Sequence, residues 1–152
     1  MSTFKRRLQS YGACGDAVEW VGERTLAQAW AECERADWML WLLFKRSGKR
    51  GWPTIQTAYL CACDCAETAL RYVQPGEDRP RLAIETRRRW CRGEATDAEV
   101  AAAGSSAWAA GSSARDAAWA ARDAARDAAH KQMCGLIRQR IPALAGGKGM
   151  QV

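Results

Sequence analysis

Cys61, Cys63 and Cys65 stand at alternate positions and form the densest set of potential metal ligands or nucleophiles in the chain. On a loop, such a C-x-C-x-C run can wrap one ion. On a helix, Cys61 and Cys65 share a side while Cys63 points about 160° away, so straight helical backbone cannot deliver all three to one metal. A site would have to recruit Cys33, Cys91 or His130 from other segments, and no C-x-x-C pair occurs anywhere. The spacing therefore predicts buried free thiols that act as small hydrophobes, with no metal and no cofactor. Seven cysteines are an odd number, so any intramolecular disulfide scheme leaves at least one unpaired.

His130 is the one histidine, which removes most general acid/base and triad schemes. The carboxylate pairs Asp64 with Glu67 and Glu32 with Glu34 fall on expected helices, where salt bridges or solvated faces are the ordinary explanation. Gly146-Gly-Lys-Gly149 lacks both the phosphate-loop spacing and a preceding strand. With no catalytic constellation, the expectation is a chain that is not an enzyme.

Two basic clusters could meet phosphate or an acidic partner: Lys45, Arg46, Lys49 and Arg50, and the run Arg87, Arg88, Arg89 with Arg92. Arg87 to Arg89 point in three directions about 100° apart, so at least one is expected to pair internally with a carboxylate. Another candidate site lies between residues 95 and 130, where 17 of 36 positions are alanine. At about 100° per residue, Trp108, Arg115, Trp119, Arg122 and Arg126 fall in one stripe, opposite a small-residue pole of Ser106, Ala110, Ala117, Ala121, Ala124 and Ala128. Tryptophan interleaved with arginine is the surface type enriched at protein interfaces. Two readings stand side by side: an exposed partner-binding stripe, or core tryptophans with arginines snorkelling around them.

The elements that must position these residues are all helical, because no segment alternates apolar and polar residues with β-branched enrichment. The punctuation predicts a short basic helix from Ser2 to Tyr11, a second from Asp16 to Gly22, and a third opened by the Thr25/Gln28 capping box and running to Ala36. Asp37 is expected to cap Trp38 to Phe44, an all-round apolar run that should be the most buried element. Pro53 should start a helix to Val73 with Ile55, Tyr59, Ala62, Ala66, Leu70 and Val73 on its apolar face. After the Pro75-Gly76 turn come a helix with Pro80 near its start and Gly93 at its stop, then one long Ala-rich helix opened by Thr96/Glu99 and running to Arg140, where Pro142 ends it.

The 152 residues suit one helical domain over 1–145 with a flexible tail over 146–152. The 23 basic against 17 acidic residues give a net charge of +6, concentrated in the first and last thirds, which favours acidic partners and argues against acidic mimicry of nucleic acid. The N-terminus has charges without a following apolar stretch, and Trp38 to Phe44 is too short to span a bilayer, so a cytoplasmic location and no membrane partner are expected.

Four stretches in combination carry a family resemblance: Gly12-Ala-Cys14 with Glu19-Trp20; Ala29 to Cys33 running into Arg35 to Leu42; Ala62 to Leu70; and Arg79-Pro80 with Ala83 to Glu85, Trp90 and Arg92 to Thr96. Followed by Ala-rich repeats, they make the chain resemble the immunity-protein-5-like family of bacteria and phages over roughly Gly12 to His130. Gly104-Ser-Ser and Gly111-Ser-Ser depart from the alanine and aspartate often seen there. The resemblance implies a cytoplasmic inhibitor that binds and neutralises a toxin or, in a phage, a host defence effector such as a CRISPR complex, with no catalytic residues to carry over. The alternative is a basic nucleic-acid-binding helical module. Its binding would fall steeply with salt. Oligomeric state is left open by the sequence.

Overall fold

A computed structural model describes the backbone of residues 2–118 and 123–142, and the side chains of residues 2–107 and 126–142. The chain is all α, with no strand among the described residues. Its helices are α1 (Thr3–Tyr11), α2 (Gly15–Val21), α3 (Leu26–Glu32), α4 (Ala36–Arg46), α5 (Ile55–Glu67), α6 (Arg79–Cys91), α7 (Asp97–Ala118) and α8 (Asp123–Arg140). A 3-10 turn at Leu70–Tyr72 follows α5.

Local chemistry accounts for most of the boundaries. The Ser2 hydroxyl accepts from the Lys5 amide at the start of α1, and Thr54 does the same for Thr57 at the start of α5. The Thr25/Gln28 and Thr96/Glu99 pairs both close as capping boxes, with the far side chain accepting from the cap backbone amide at 2.9 Å and 2.7 Å. Gly12 ends α1 at φ 82°, a conformation that returns its amide to the carbonyls of Leu8 and Gln9 and that side chains with a Cβ disfavour.

Several expectations are corrected. The helix from Thr25 stops at Glu32, because Cys33 turns extended and Arg138 of α8 donates from Nε to the Trp30 carbonyl at 2.9 Å and from Nη2 to the Cys33 carbonyl. The cap of α4 is Arg35, and Asp37 sits in the first turn, where it grips the Arg35 side chain. Within α4 only Met39, Leu42 and Leu43 of the apolar run are buried, and Trp41 is 37% exposed. The helix expected from Pro53 to Val73 starts at Ile55, because Thr54 rather than the residue before Pro53 caps it, and ends at Glu67, where the Thr68 hydroxyl donates to the Cys65 carbonyl and the backbone tightens into the 3-10 turn. Its buried residues are Ala58, Cys61, Cys63 and Cys65, whereas Ala66 of the expected apolar face is exposed. The single helix expected from Thr96 to Arg140 is described as two helical stretches, α7 and α8. α7 packs along α6 while α8 packs on α4 and α5, and residues 119–122 between them, like the tail over 146–152, lie outside the described residues.

α5 is the centre. Cys61 and Cys65 face a core with Trp30, Leu43, Cys134 and Ile137, contributed by α3, α4 and α8. Cys63 faces the other way, toward α6, with its thiol 3.9 Å from the Ile84 carbonyl. A second core of Leu8, Val18, Val21, Ala29 and Leu42 joins α1 to α4. Phe44, Tyr59 and Trp90 form an edge-to-face ladder across α4, α5 and α6, with centroids 4.9 Å and 5.4 Å apart, and Arg87 lies 4.0 Å above the Tyr59 ring.

Burial pushes the Cys61 thiol up to about 12 and Cys65 up to about 11. Unfolded thiols titrate near 8.5, so above that pH the unfolded chain gives up protons that the native state keeps. Stability should therefore fall between pH about 9 and 11 by about 1.4 kcal/mol per pH unit for each of the two thiols. Urea titrations across that range check this, and the Cys61→Ala chain should show about half the slope of the two-thiol contribution.

Candidate protein-binding site

The basic residues singled out from the sequence are largely spent within the fold. Arg88 reaches Asp64 at 3.1 Å and Glu67 at 2.8 Å, and Arg140 meets the other Asp64 oxygen at 2.7 Å, so one carboxylate of α5 ties α6 to α8. Arg88 in turn holds the Glu67 carboxyl below the usual carboxylate range, chiefly through their hydrogen bonds. Arg89 donates to the Glu94 carbonyl and approaches Glu99 at 3.8 Å, and Arg92 pairs with Glu94 at 2.8 Å. Arg46 lies over the rings of Tyr11 and Trp52. Only Lys45, Lys49 and Arg50 of the two clusters stand exposed without a described contact.

Of the Trp/Arg stripe, Arg126 is exposed on α8. The side chains of Trp108 and Arg115, and Trp119 and Arg122 altogether, lie outside the described residues. The same residue types do come together elsewhere, on α2, α3 and α4, where sequence reasoning had not looked. Trp20 and Trp38 meet at 5.9 Å between ring centres, tilted by 55°. Arg24 covers the Trp20 ring at 4.7 Å and Arg35 covers Trp38 at 4.6 Å. Each arginine is held in place from its far side. Arg24 pairs with Glu32 at 2.8 Å and donates to the Trp20 carbonyl, and Arg35 grips both oxygens of Asp37, at 2.9 Å and 2.6 Å. The bidentate contact holds the Asp37 carboxyl below the usual carboxylate range. On the buried side of Asp37, His130 Nδ1 lies 3.8 Å from its Oδ1.

These rings border a cavity of about 540 Å³ framed by α1 to α4. Trp20, Trp30, Trp38 and Trp41 line it together with Phe4 and Leu8, and Arg35, Asp37 and Asp16 supply its charged atoms. A signal for this site existed in the sequence: Trp38 and Trp41 recur at helical spacing, and each of Arg24 and Arg35 lies three or four residues from a tryptophan. It went unread because the whole Trp38 to Phe44 run has the composition of a core helix. Arranged this way, the residues can receive an apolar side chain and bond its polar surroundings. They offer no nucleophile paired with a base, and no group of three or more His, Cys, Asp or Glu among the described residues could hold a metal ion. No described helix is long and apolar enough to cross a membrane.

Because Arg88 bridges two helices and is three-quarters covered, Arg88→Ala should destabilise the fold by about 1–3 kcal/mol. The double change Lys49→Ala with Arg50→Ala should stay within about 0.5 kcal/mol of the parent, both measured by urea denaturation. Comparison of the chain with family models, with curated proteins and with solved structures finds no match.

Proposed function

We propose that this chain is a non-enzymatic protein inhibitor that binds and neutralises a partner protein, a toxin or, where a phage carries it, a host defence effector of the CRISPR type. The observation that carries the reading is the Trp20/Trp38/Trp41 face with Arg24 and Arg35 stacked on it, opening onto an apolar cavity. Interface hot spots are built from tryptophan and arginine around pockets that take an apolar anchor from the other side. Here the arginines are already fixed by Glu32 and Asp37, so little side-chain freedom is lost on docking. The resemblance to the immunity-protein-5-like family points to the same activity, and several of the residues that carry it, Trp20, Trp30, Arg35, Trp38 and Trp41, surround this cavity.

The nucleic-acid alternative loses support from the internal pairing of Arg88, Arg89 and Arg92. It retains Lys45, Lys49 and Arg50. Tagged protein should capture a discrete protein from host lysate after nuclease treatment and at high salt. Trp41→Ala, a change at an exposed position, and Ala13→Trp, which fills the cavity, should each reduce that capture at least about tenfold while helical circular dichroism is kept. Charge reversal of Lys45, Lys49 and Arg50 should leave it unchanged. Loss with the charge reversal and nuclease sensitivity would replace this reading with the basic module. Loss only with Trp119→Ala plus Arg122→Glu would move the interface to the Ala-rich segment.

A further inference from the structure

The net positive charge of the chain comes from two segments that the fold brings together. Residues 1–15 and 38–63 contain seven lysines and arginines and no Asp or Glu, whereas the remaining residues hold 16 basic against 17 acidic ones. Arg46 joins the two segments, because its guanidinium lies 4.8 Å from the centre of the Tyr11 ring, at the end of α1, and 5.5 Å from that of Trp52. Phe4, Leu8, Tyr11 and Trp52 belong to one core cluster. Arg46 differs from the arginines that tie helices together. Arg24, Arg35, Arg88, Arg92 and Arg140 each meet a carboxylate, but Arg46 is held by the two rings, and its buried Nε has no hydrogen-bond acceptor among the described residues. Beyond it the chain makes two tight turns, closed by the Lys49 amide on the Arg46 carbonyl at 3.1 Å and the Trp52 amide on the Lys49 carbonyl at 2.9 Å, with Gly48 at φ 74° and Gly51 at φ 78°. These turns keep Lys49 and Arg50 close to the last turn of α4, which carries Lys45, and all three are exposed. Lys45 and Arg46 complement the negative end of the α4 dipole, but that field fades within the last turn and does not account for Lys49 and Arg50.

We propose that the turn after α4 is a second binding surface, separate from the tryptophan face, that takes the phosphate backbone of a nucleic acid, with Lys45, Arg46, Lys49 and Arg50 as the phosphate contacts and Lys5 and Arg6 of α1 extending it. Phosphate contact asks for long cationic side chains and needs no apolar anchor. Phe4, Tyr11 and Trp52 pack onto the core, and Arg46 lies over the last two. The surface therefore lacks the apolar anchor of a protein hot spot and the free apolar face that an interfacial helix inserts into a bilayer. Backbone contacts carry no sequence information, so binding is independent of base sequence. This surface does not rest on the Trp20/Trp38/Trp41 reading, and the high salt that leaves a protein partner on that face strips nucleic acid from this one.

The test follows the fluorescence anisotropy of a labelled random-sequence DNA duplex, and of one of its strands, with the full-length protein between about 50 and 200 mM salt. Four phosphate contacts predict a slope of log affinity against log salt of about −3 to −4, and a loss of about 100-fold across that range. Lys45→Gln, Lys49→Gln and Arg50→Gln together should bring the slope to about −1 and weaken binding at least about tenfold at the lowest salt, whereas Trp41→Ala should change neither. Arg50→Gln alone should reduce the slope by about one, and it decides the matter if the triple variant loses its helical circular dichroism. Failure of both oligonucleotides to bind at the lowest salt, a slope that these substitutions leave unchanged, or tighter binding to polyglutamate or to phosphatidylserine vesicles than to either oligonucleotide would overturn the proposal.

Discussion

The structure depends on a helix, α5, that is packed on two faces at once. α5 touches α4 and α8 with one face and α6 with the other, so its inward positions must be small enough for helices to close from both directions. Ala58, Cys61, Cys63 and Cys65 meet that requirement, and each is at most 5% exposed. A thiol is close to a methyl-sized apolar group with a weak donor, and Cys63 and Cys65 each point that donor at a backbone carbonyl of a neighbouring helix. The cysteine run is thus a packing solution. Longer aliphatic chains here would push α4, α6 and α8 apart, and with them the aromatic ladder that crosses α4, α5 and α6.

Charge follows from the same arrangement. α5 has Asp64 at its half-buried margin, where one carboxylate serves both Arg88 and Arg140. A carboxylate so shared, with part of its surface removed from water, makes a stronger and more directional tie than an exposed pair. Other arginines lie over rings, as Arg46 and Arg87 do.

The N-terminal helices are organised on another principle. α1 to α4 enclose their own small core, and α3 is joined to the rest by Arg138, which satisfies carbonyls that the end of a helix leaves without partners. Short helices around a cavity can leave tryptophans half-covered, and the arginines stacked on Trp20 and Trp38 shield the faces that water would otherwise meet. The result is an amphipathic surface of tryptophan and arginine around a cavity.

The sequence by itself determined the all-α class and the starts marked by capping boxes, because capping is decided within four residues: Thr25 with Gln28 and Thr96 with Glu99. It also foretold that Cys61 to Cys65 would be buried thiols and that at least one of Arg87 to Arg89 would turn inward. Tertiary structure decided which face of each helix is covered. Period alone pointed to Ile55, Tyr59 and Ala66 on α5, but a helix enclosed on two sides has no single apolar stripe to detect. The early stop of α3 depends on Arg138, more than 100 residues away, and the exposure of Trp41 on where α4 lies relative to α1 and α2. Such outcomes rest on contacts between distant segments, and the free energy of a contact belongs to the pair, so neither partner's local sequence contains it.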